Sequence, residues 1–261
     1  MLIFPQGFTL VQDILVLILS SLTSIPVLGF FDILKKRGIV TQEFVRKMVH
    51  ILAASILLVS FLFYSGEWFS PYINALAPAG YVLVLYLIGS GRIKNEQYIR
   101  LLSRTGKPDE LLRGTFYYMV GLLFVTLFCW SSYPHLPIHS PVSVVYITIL
   151  AFGDGFADII GRKMDRWRFT ILSEKSVPGS ISFFLASLVT SFTALYLFGY
   201  NLQINALLVI ITIFLATIVE AISPKEMDNI LLLGAVLFSM VLLKPFFAES
   251  ASWSIIYIHT P

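Results

Sequence analysis

Eight apolar stretches alternate with polar connections along the 261 residues of the chain. Each approaches the roughly 20 residues with which an α-helix crosses the hydrocarbon core of a bilayer. We therefore predict an all-α, polytopic transmembrane helical bundle of about eight spans, formed by one integral membrane domain over residues 1–261. Seven spans are the alternative, because the tail Trp253–Ile258 allows the last apolar sequence to be divided differently. The predicted spans are Leu10–Phe31, Met48–Phe63, Ala75–Ser90, Thr115–Ser131, Pro141–Ile160, Gly179–Gly199, Ile204–Ser223 and Asn229–Phe246.

Composition strengthens this prediction. The chain is 57% hydrophobic and 13% charged, whereas about a quarter of the residues of a soluble domain are charged. A lone cysteine, Cys129, excludes an intramolecular disulfide framework and a cysteine-based metal site. The first ten residues carry no Lys or Arg, so a secretory signal is not expected. We expect a prokaryotic inner or thylakoid membrane, or an organelle membrane for a trimmed mature form.

Positive charge is confined to alternate connections. The first, third, fifth and seventh connections hold 17 of the 18 Lys and Arg residues, and Lys244 is the exception. Positively charged loops remain on the cytoplasmic side of a membrane. We therefore expect these loops, and any site among them, on the cytoplasmic or equivalent side. Their excess of basic over acidic residues favours an anionic ligand approaching from that side.

Ionisable residues also occur inside the predicted spans. They are Asp13, Asp154, Asp158 and Glu220, with His50 at the start of the second span. Such residues are costly in hydrocarbon, so each is a functional candidate. Helical rise places the last three acids in the half of the membrane next to the basic loops. Asp13 lies towards the opposite surface, where we interpret it as interfacial or structural.

The strongest local signal is the pair Asp154 and Asp158, which a helix places on one face, one turn apart. Two carboxylates at this spacing repel each other unless a cation lies between them. Mg²⁺ on a nucleotide phosphate is one such cation, because it takes hard oxygen ligands. The alternative is that the two residues bind Arg162 or another helix. We favour metal or substrate binding.

A second signal follows at Lys175-Ser176-Val177-Pro178-Gly179-Ser180, which opens the sixth span. Proline suits the first turn of a helix, and a helix N-terminus attracts anions. Lys175, Ser176, Gly179 and Ser180 are therefore candidates for phosphate binding.

Three further groups lie at helix ends on the basic side: Arg46, Lys47 and His50; Glu110 and Arg113; and Asp228 and Asn229. Taken alone, the cations are explained as side chains that extend to the membrane surface. The second group is equally typical of a structural ion pair, and Asp228 of a helix cap.

Five motifs occur in order at matching helix ends: RKMVHI, ELLRGTFYY, GDGFADIIGRK, KSVPGSISFF and VEAISPKEMDN. Between Arg46 and Asn229 the chain resembles the polyprenol kinase family, and especially its phytol and farnesol kinases. It is more distantly similar to dolichol kinases, CTP-dependent diacylglycerol kinases and CDP-diacylglycerol synthases. The chain departs from the family pattern in the segment Arg166–Glu174, which lacks a Gly/Pro-rich turn, and at Pro178.

The resemblance implies transfer of the γ-phosphate of CTP to the hydroxyl group of a membrane-dissolved isoprenoid alcohol. It assigns Mg²⁺ to Asp154 and Asp158, and the transferring phosphoryl group to Lys175 with the N–H groups near Gly179 and Ser180. Arg162 supports Lys175, whereas His50, Glu220 or Asp228 orients or deprotonates the alcohol. The remaining cations, Arg46, Lys47 and Arg113, add charge stabilisation.

Two other functions compete with this interpretation. An ion-coupled transporter would use the buried acids as relay sites, but the connections on the opposite side offer almost no polar residues. A phosphatidate cytidylyltransferase would release pyrophosphate where a kinase releases CDP. The expected partners are a nucleoside triphosphate, the isoprenoid alcohol and the bilayer, without nucleic acid. A homodimer is compatible with the sequence.

Overall fold

The chain folds into a bundle of α-helices, as predicted. The computed structural model describes residues 8–103, 105–129, 140–164, 167–224, 226–243 and 245. A 3₁₀ turn over Pro108–Leu112 precedes the helix that begins at Gly114. A π-helical turn over Ile149–Gly153 joins the helix that ends at Thr148 to the helix that begins at Asp154. The helices are α1 (Thr9–Lys36), α2 (Gln42–Ser60), α3 (Ser70–Gly89), α4 (Glu96–Leu102), α5 (Gly114–Phe128), α6 (Pro141–Thr148), α7 (Asp154–Lys163), α8 (Val177–Leu197), α9 (Leu202–Ile222) and α10 (Asp228–Leu243).

Helical segments occupy all eight predicted spans. Five are long and apolar enough to cross a membrane: α1, α3, Pro108–Phe128, Pro141–Lys163 and α8. Within the described residues, the apolar segments Ala206–Ile222 and Asp228–Leu243 are shorter, and α2 carries Glu43, Arg46 and Lys47 in its first two turns. The ends of the fourth and eighth predicted spans, and the tail considered for the seven-span alternative, lie outside the described residues.

The helix from Pro141 to Lys163 lies at the centre of the bundle. Every residue of α6 is buried, and α2, α5, α8 and α10 surround this helix. Its π-helical turn ends at Gly153, so the widened turn stands directly before Asp154. Turns of this kind interrupt α-helices most often at functional sites. Asp154 therefore faces protein, where polar partners are available.

The basic connections meet at one end of the bundle, here called the site end. Lys35 Nζ donates to the carbonyl of Arg100 at 2.7 Å, which joins the first connection to the third. Ser173 Oγ likewise donates to the carbonyl of Ser223 at 2.7 Å, which joins the fifth to the seventh. Arg104, Arg166, Lys225 and Lys244, which entered the charge pattern, lie outside the described residues.

The opposite end is organised by Asp13, which is fully buried. Its two carboxylate oxygens accept from the Ser65 N–H at 2.7 Å and from Ser70 Oγ at 2.5 Å. These bonds fix α1 against the connection between α2 and α3. They agree with the structural role that the sequence indicates for this acid.

Candidate active site

A cavity of about 350 Å³ opens at the site end and is here called the polar cavity. Side chains from α2, α7, α8, α9 and α10 line it, together with a hairpin of two short strands, β1 (Arg168–Thr170) and β2 (Glu174–Ser176). Ten of the predicted site residues border it: Lys47, Asp154, Asp158, Arg162, Lys175, Ser176, Gly179, Ser180, Glu220 and Asp228. The structure thus gathers into one cavity residues that are up to 181 positions apart in the sequence.

Lys47 lies between the two aspartates that the sequence pairs on one helix face. Its Nζ is 2.7 Å from Asp154 Oδ2 and 3.7 Å from Asp158 Oδ2. Asp158 also forms an ion pair with Arg162 Nε at 2.8 Å and a longer one with Arg46 Nη2 at 3.6 Å. The alternative to metal binding is that the two aspartates bind Arg162 or another helix. Both of these contacts are present. The cation that relieves the carboxylate repulsion here is an ammonium group from α2.

A second group of charges surrounds Lys175 on the opposite wall. Lys175 Nζ is 2.5 Å from Glu220 Oε1 and 3.8 Å from Asp228 Oδ2. Burial alone would lower the pKa of Lys175, but the two carboxylates outweigh it, and its pKa is raised above the ordinary value. Lys175 is therefore protonated at neutral pH. Among the residues that the structure describes, Glu220 Oε2 is buried and has no hydrogen-bond partner, so this oxygen is available to accept from a further ligand.

The start of α8 is already partly satisfied by the protein. Ser176 caps the helix, with its Oγ accepting from the Gly179 N–H at 3.2 Å. The Val177 N–H donates to the carbonyl of Trp167, and Pro178 has no N–H. A phosphate at this terminus must replace Ser176 Oγ to receive the Gly179 N–H. The predicted cradle of free N–H groups is thus smaller than the sequence suggested, although the positive end of the helix dipole remains.

A smaller cavity of about 30 Å³ adjoins the polar cavity and is here called the inner cavity. The predicted residues Arg46, His50 and Asn229 line it, and Lys47, Asp154 and Asp228 border both spaces. The His50 ring stacks on Tyr118, with 4.6 Å between ring centroids. Asn229 Nδ2 donates to the carbonyl of Gly114 at 2.8 Å, which holds α10 against α5. His50 therefore lies within reach of the charged groups, but deeper in the bundle.

Arg113 alone among the predicted site residues borders neither cavity. Its guanidinium is 3.6 Å from Glu226 Oε2 and 3.7 Å from Asp109 Oδ2, and its side chain is largely exposed. Glu226 in turn lines both cavities. Arg113 consequently stands at the rim, where it orients Glu226.

Sequence reasoning missed the hairpin and six residues that line the polar cavity: Ala157, Gly161, Arg168, Ser173, Glu174 and Glu226. The segment Arg166–Glu174 was read only as a departure from the family pattern. This segment is so short that its alternation of charged, aromatic and small residues does not distinguish a strand from a loop. The available signal for Glu226 is its position two residues before Asp228 in the sequence.

The lining of the polar cavity is more acidic than its surroundings. Six carboxylates face it, from Asp154, Asp158, Glu174, Glu220, Glu226 and Asp228, against the four cations Lys47, Arg162, Arg168 and Lys175. Within the described chain, no three His, Cys, Asp or Glu side chains converge as a metal site. Mg²⁺ usually takes one or two carboxylates and completes its shell with waters and substrate phosphates. The donor set therefore fits a shared Mg²⁺–nucleotide site and not a metal caged by protein alone.

Close approach of α7 and α8 forms the wall between the aspartates and Lys175. A Cβ added to Gly179 would lie 3.1 Å from the Ala157 carbonyl oxygen and 3.4 Å from Gly161 Cα. These contacts are with backbone, which cannot rotate away as a side chain can. Glycine is therefore required here for packing.

We predict that Gly179→Ala lowers the thermal unfolding temperature and the activity, because overpacking costs about 1–3 kcal/mol. Gly234→Ala on α10 is the matched control, since nothing lies within 4 Å of its added Cβ. That control should be neutral or stabilising by up to about 1 kcal/mol. Thermal unfolding in detergent compares the two. Equal stability and full activity in both would show that the close approach is dispensable.

Curated relatives match the chain over most of its length. A probable phytol kinase 2 from Oryza sativa subsp. japonica is 31% identical over 236 residues, which are 87% of this chain and 74% of that protein. Phytol kinase 1 from Arabidopsis thaliana is 31% identical over 77% of this chain and 66% of its own length. Farnesol kinase from the same plant is 30% identical over 75% and 61%. No protein-family model matches the chain. No solved structure matches it either.

The fold and the site define a polytopic helical membrane protein with a charged cavity at one end of its bundle. The identity with these relatives shows that the chain belongs to the polyprenol kinase family, in which the named relatives are phytol and farnesol kinases. The sequence motifs thus predicted the family correctly.

Proposed function

We propose that the protein is an isoprenoid-alcohol kinase that transfers the γ-phosphate of CTP to a membrane-dissolved alcohol of the phytol, geranylgeraniol or farnesol type. The observation that carries this proposal is the identity of about 30% to relatives named phytol kinase and farnesol kinase, over three quarters of the chain or more. The polar cavity supports it, because it combines cations for phosphate with carboxylates for a metal.

The charge balance of the polar cavity favours a nucleotide that arrives with Mg²⁺. A triphosphate adds negative charge to a lining that already has two more carboxylates than cations. In the proposed complex Asp154 and Asp158 contact the metal, and Glu220 Oε2 is a further available oxygen. Bound Mg²⁺ would neutralise the phosphates and orient them. Lys47 then moves from the two aspartates towards phosphate oxygens.

Lys175 is proposed to bind the transferring phosphoryl group. It is held by Glu220 and Asp228 beside the positive end of the α8 dipole, and its raised pKa keeps it charged. Further positive charge comes from Arg162 and Arg46, which both contact Asp158, and from Arg113 at the rim. Phosphoryl transfer depends chiefly on such positioning and electrostatics, so no covalent enzyme intermediate is required.

The alcohol is proposed to enter from the bilayer side and to place its hydroxyl group beside His50. In the reaction the alcohol oxygen bonds to the γ-phosphorus, the β–γ bridging oxygen leaves with CDP, and the hydroxyl proton passes to a base. His50, Glu220 and Asp228 are the candidates, because they line the joined cavities. The basic end of the bundle is proposed to face the cytoplasm or its equivalent.

We expect the purified protein to place the γ-label of CTP into an isoprenyl monophosphate when farnesol, phytol or geranylgeraniol is the acceptor. UTP, ATP and diacylglycerol in the same assay determine the donor and acceptor preferences. Label from the α-phosphate of CTP should remain in CDP. Its appearance in lipid would instead indicate cytidylyl transfer, and no lipid label with any pairing would favour a transporter.

A further inference from the structure

An apolar groove runs from the inner cavity into the membrane-embedded part of the bundle. It consists of two cavities of about 50 and 40 Å³ between α1, α2, α3 and α5. Both cavities are lined by Ser24, Ala53, Ile56, Tyr81 and Met119, so the two spaces adjoin one another. Apart from His50, the residues that line this space have no role in the proposed phosphoryl transfer.

The groove joins the site at His50. His50, Leu102 and Thr115 line both the groove and the inner cavity. The inner cavity in turn shares Lys47 and Asp154 with the polar cavity. A series of adjoining cavities therefore leads from the charged end of the bundle to a hydrocarbon-like interior, and His50 marks the boundary between them.

Two of the polar side chains that line both cavities, Tyr81 and Ser24, are hydrogen-bonded within the protein. Tyr81 Oη donates to Ser24 Oγ at 2.5 Å, and Ser24 Oγ donates to the carbonyl of Ser21 at 2.6 Å. They leave an essentially apolar lining, which is the environment that a hydrocarbon ligand requires. Ser24 on α1, Ala53 on α2 and Ala77 on α3 are small, and their size leaves the groove open.

We propose that this groove binds the isoprenoid tail of the acceptor and that Ala53 and Ala77 determine how much of the tail it accepts. This inference rests on the proposed kinase function. With the hydroxyl group at His50, Ala53 lies about 4.5 Å further along α2, beside the first isoprene units. Ala77 lines only the cavity farther from His50. The groove is much smaller than a long prenyl chain, so the remaining tail extends into the bilayer beside α1.

Substitutions that fill the groove should therefore act according to tail length. With long alcohols, Ala53→Phe should raise KM by about tenfold or more, the scale on which a pocket discriminates a methylene group. Prenol should be affected to a similar degree, because its single isoprene unit also lies beside Ala53. Ala77→Phe should spare prenol and geraniol but impair farnesol and geranylgeraniol. The assay measures kcat/KM for the four alcohols and takes the long-to-short ratio for each variant.

Matched controls come from the lipid-facing side of the same helices. Val59→Phe on α2 and Leu76→Phe on α3 replace residues that are 51% and 60% exposed in the protein, and should leave the long-to-short ratio unchanged. If the Ala53→Phe variant does not fold, Ala53→Leu fills less of the groove and should raise KM by a smaller amount. An unchanged KM in a folded Ala53 variant, or an unchanged long-to-short ratio in a folded Ala77 variant, would overturn the tail assignment.

A second measurement separates this inference from the kinase proposal. Geranylgeraniol with a photoreactive group at its distal end should label peptides of α1 and α3 in the wild-type protein, and less so in Ala77→Phe. This labelling needs no turnover. If no alcohol is phosphorylated, the proposed kinase activity is refuted. The labelling result would still show whether the isoprenoid tail binds in the groove. Labelling confined to α8, α9 and α10 would refute the groove, whatever the activity.

Discussion

Lys175→Met should lower kcat by about 10³-fold, the scale on which a charge on the transferring phosphoryl group contributes to such reactions. Its Nζ is the cation nearest to the start of α8 and is held by Glu220 at 2.5 Å. The same change leaves the Glu220 carboxylate, which is 3% exposed, without its partner. Breaking a buried ion pair costs about 3–5 kcal/mol. Lost activity by itself would therefore not distinguish chemistry from unfolding.

A double variant separates the two effects. Lys175→Met with Glu220→Gln removes both members of the closest ion pair and should recover much of the thermal stability, because only the longer contact of Lys175 with Asp228, at 3.8 Å, is then lost. It should remain inactive if the ammonium group binds phosphate. Lys163→Met, at the exposed end of α7, is the matched control and should retain wild-type turnover. A folded double variant with more than about a tenth of wild-type activity would refute the role of Lys175.

Asp154→Asn should also reduce turnover by about 10³-fold and raise the Mg²⁺ concentration needed for half-maximal activity. Its carboxylate is buried, lies 2.7 Å from Lys47 Nζ and borders both polar spaces. Asp158→Asn should have the smaller effect, since Asp158 is more exposed and has two arginine partners. Turnover measured across a Mg²⁺ titration for both variants tests this order.

Two comparisons make the Asp154 prediction specific. Asp13→Asn removes an equally buried acid at the opposite end, so it should lower stability while the activity of the folded protein stays normal. Lys47→Met with Asp154→Asn removes the ion pair without leaving a charge. If Asp154 served only to neutralise Lys47, this double variant would regain activity. Continued inactivity is the expected result.

The sequence predicted the helices well because each boundary has a local cause. A span of about 20 apolar residues has few alternatives to a helix in a bilayer, where backbone groups must bond internally. The Ser-Val-Pro-Gly order at 176–179 fixed the start of α8, which the structure places at Val177 after the capping Ser176. Asp154 and Asp158 share a face because helical geometry requires it.

The contacts among the predicted residues were not predictable in the same way. Lys47 was interpreted from its position as a helix-end cation, yet it reaches across 107 residues to Asp154. Nothing in either local sequence encodes that distance, since it depends on how α2 packs against α7. The hydrogen bond of the Gly179 N–H to Ser176 Oγ likewise reduced the predicted phosphate cradle.

By itself the sequence determined the family, the helical membrane architecture and the acidic and basic residue types of the site, because these follow from composition, periodicity and short motifs. Only the tertiary structure decided that the basic connections surround a cavity with an acidic lining, and that His50 separates charged from apolar space. The physical reason is that charge balance and cavity shape arise from packing between distant helices. Each helix can be predicted from its own residues, whereas a cavity belongs to several helices together.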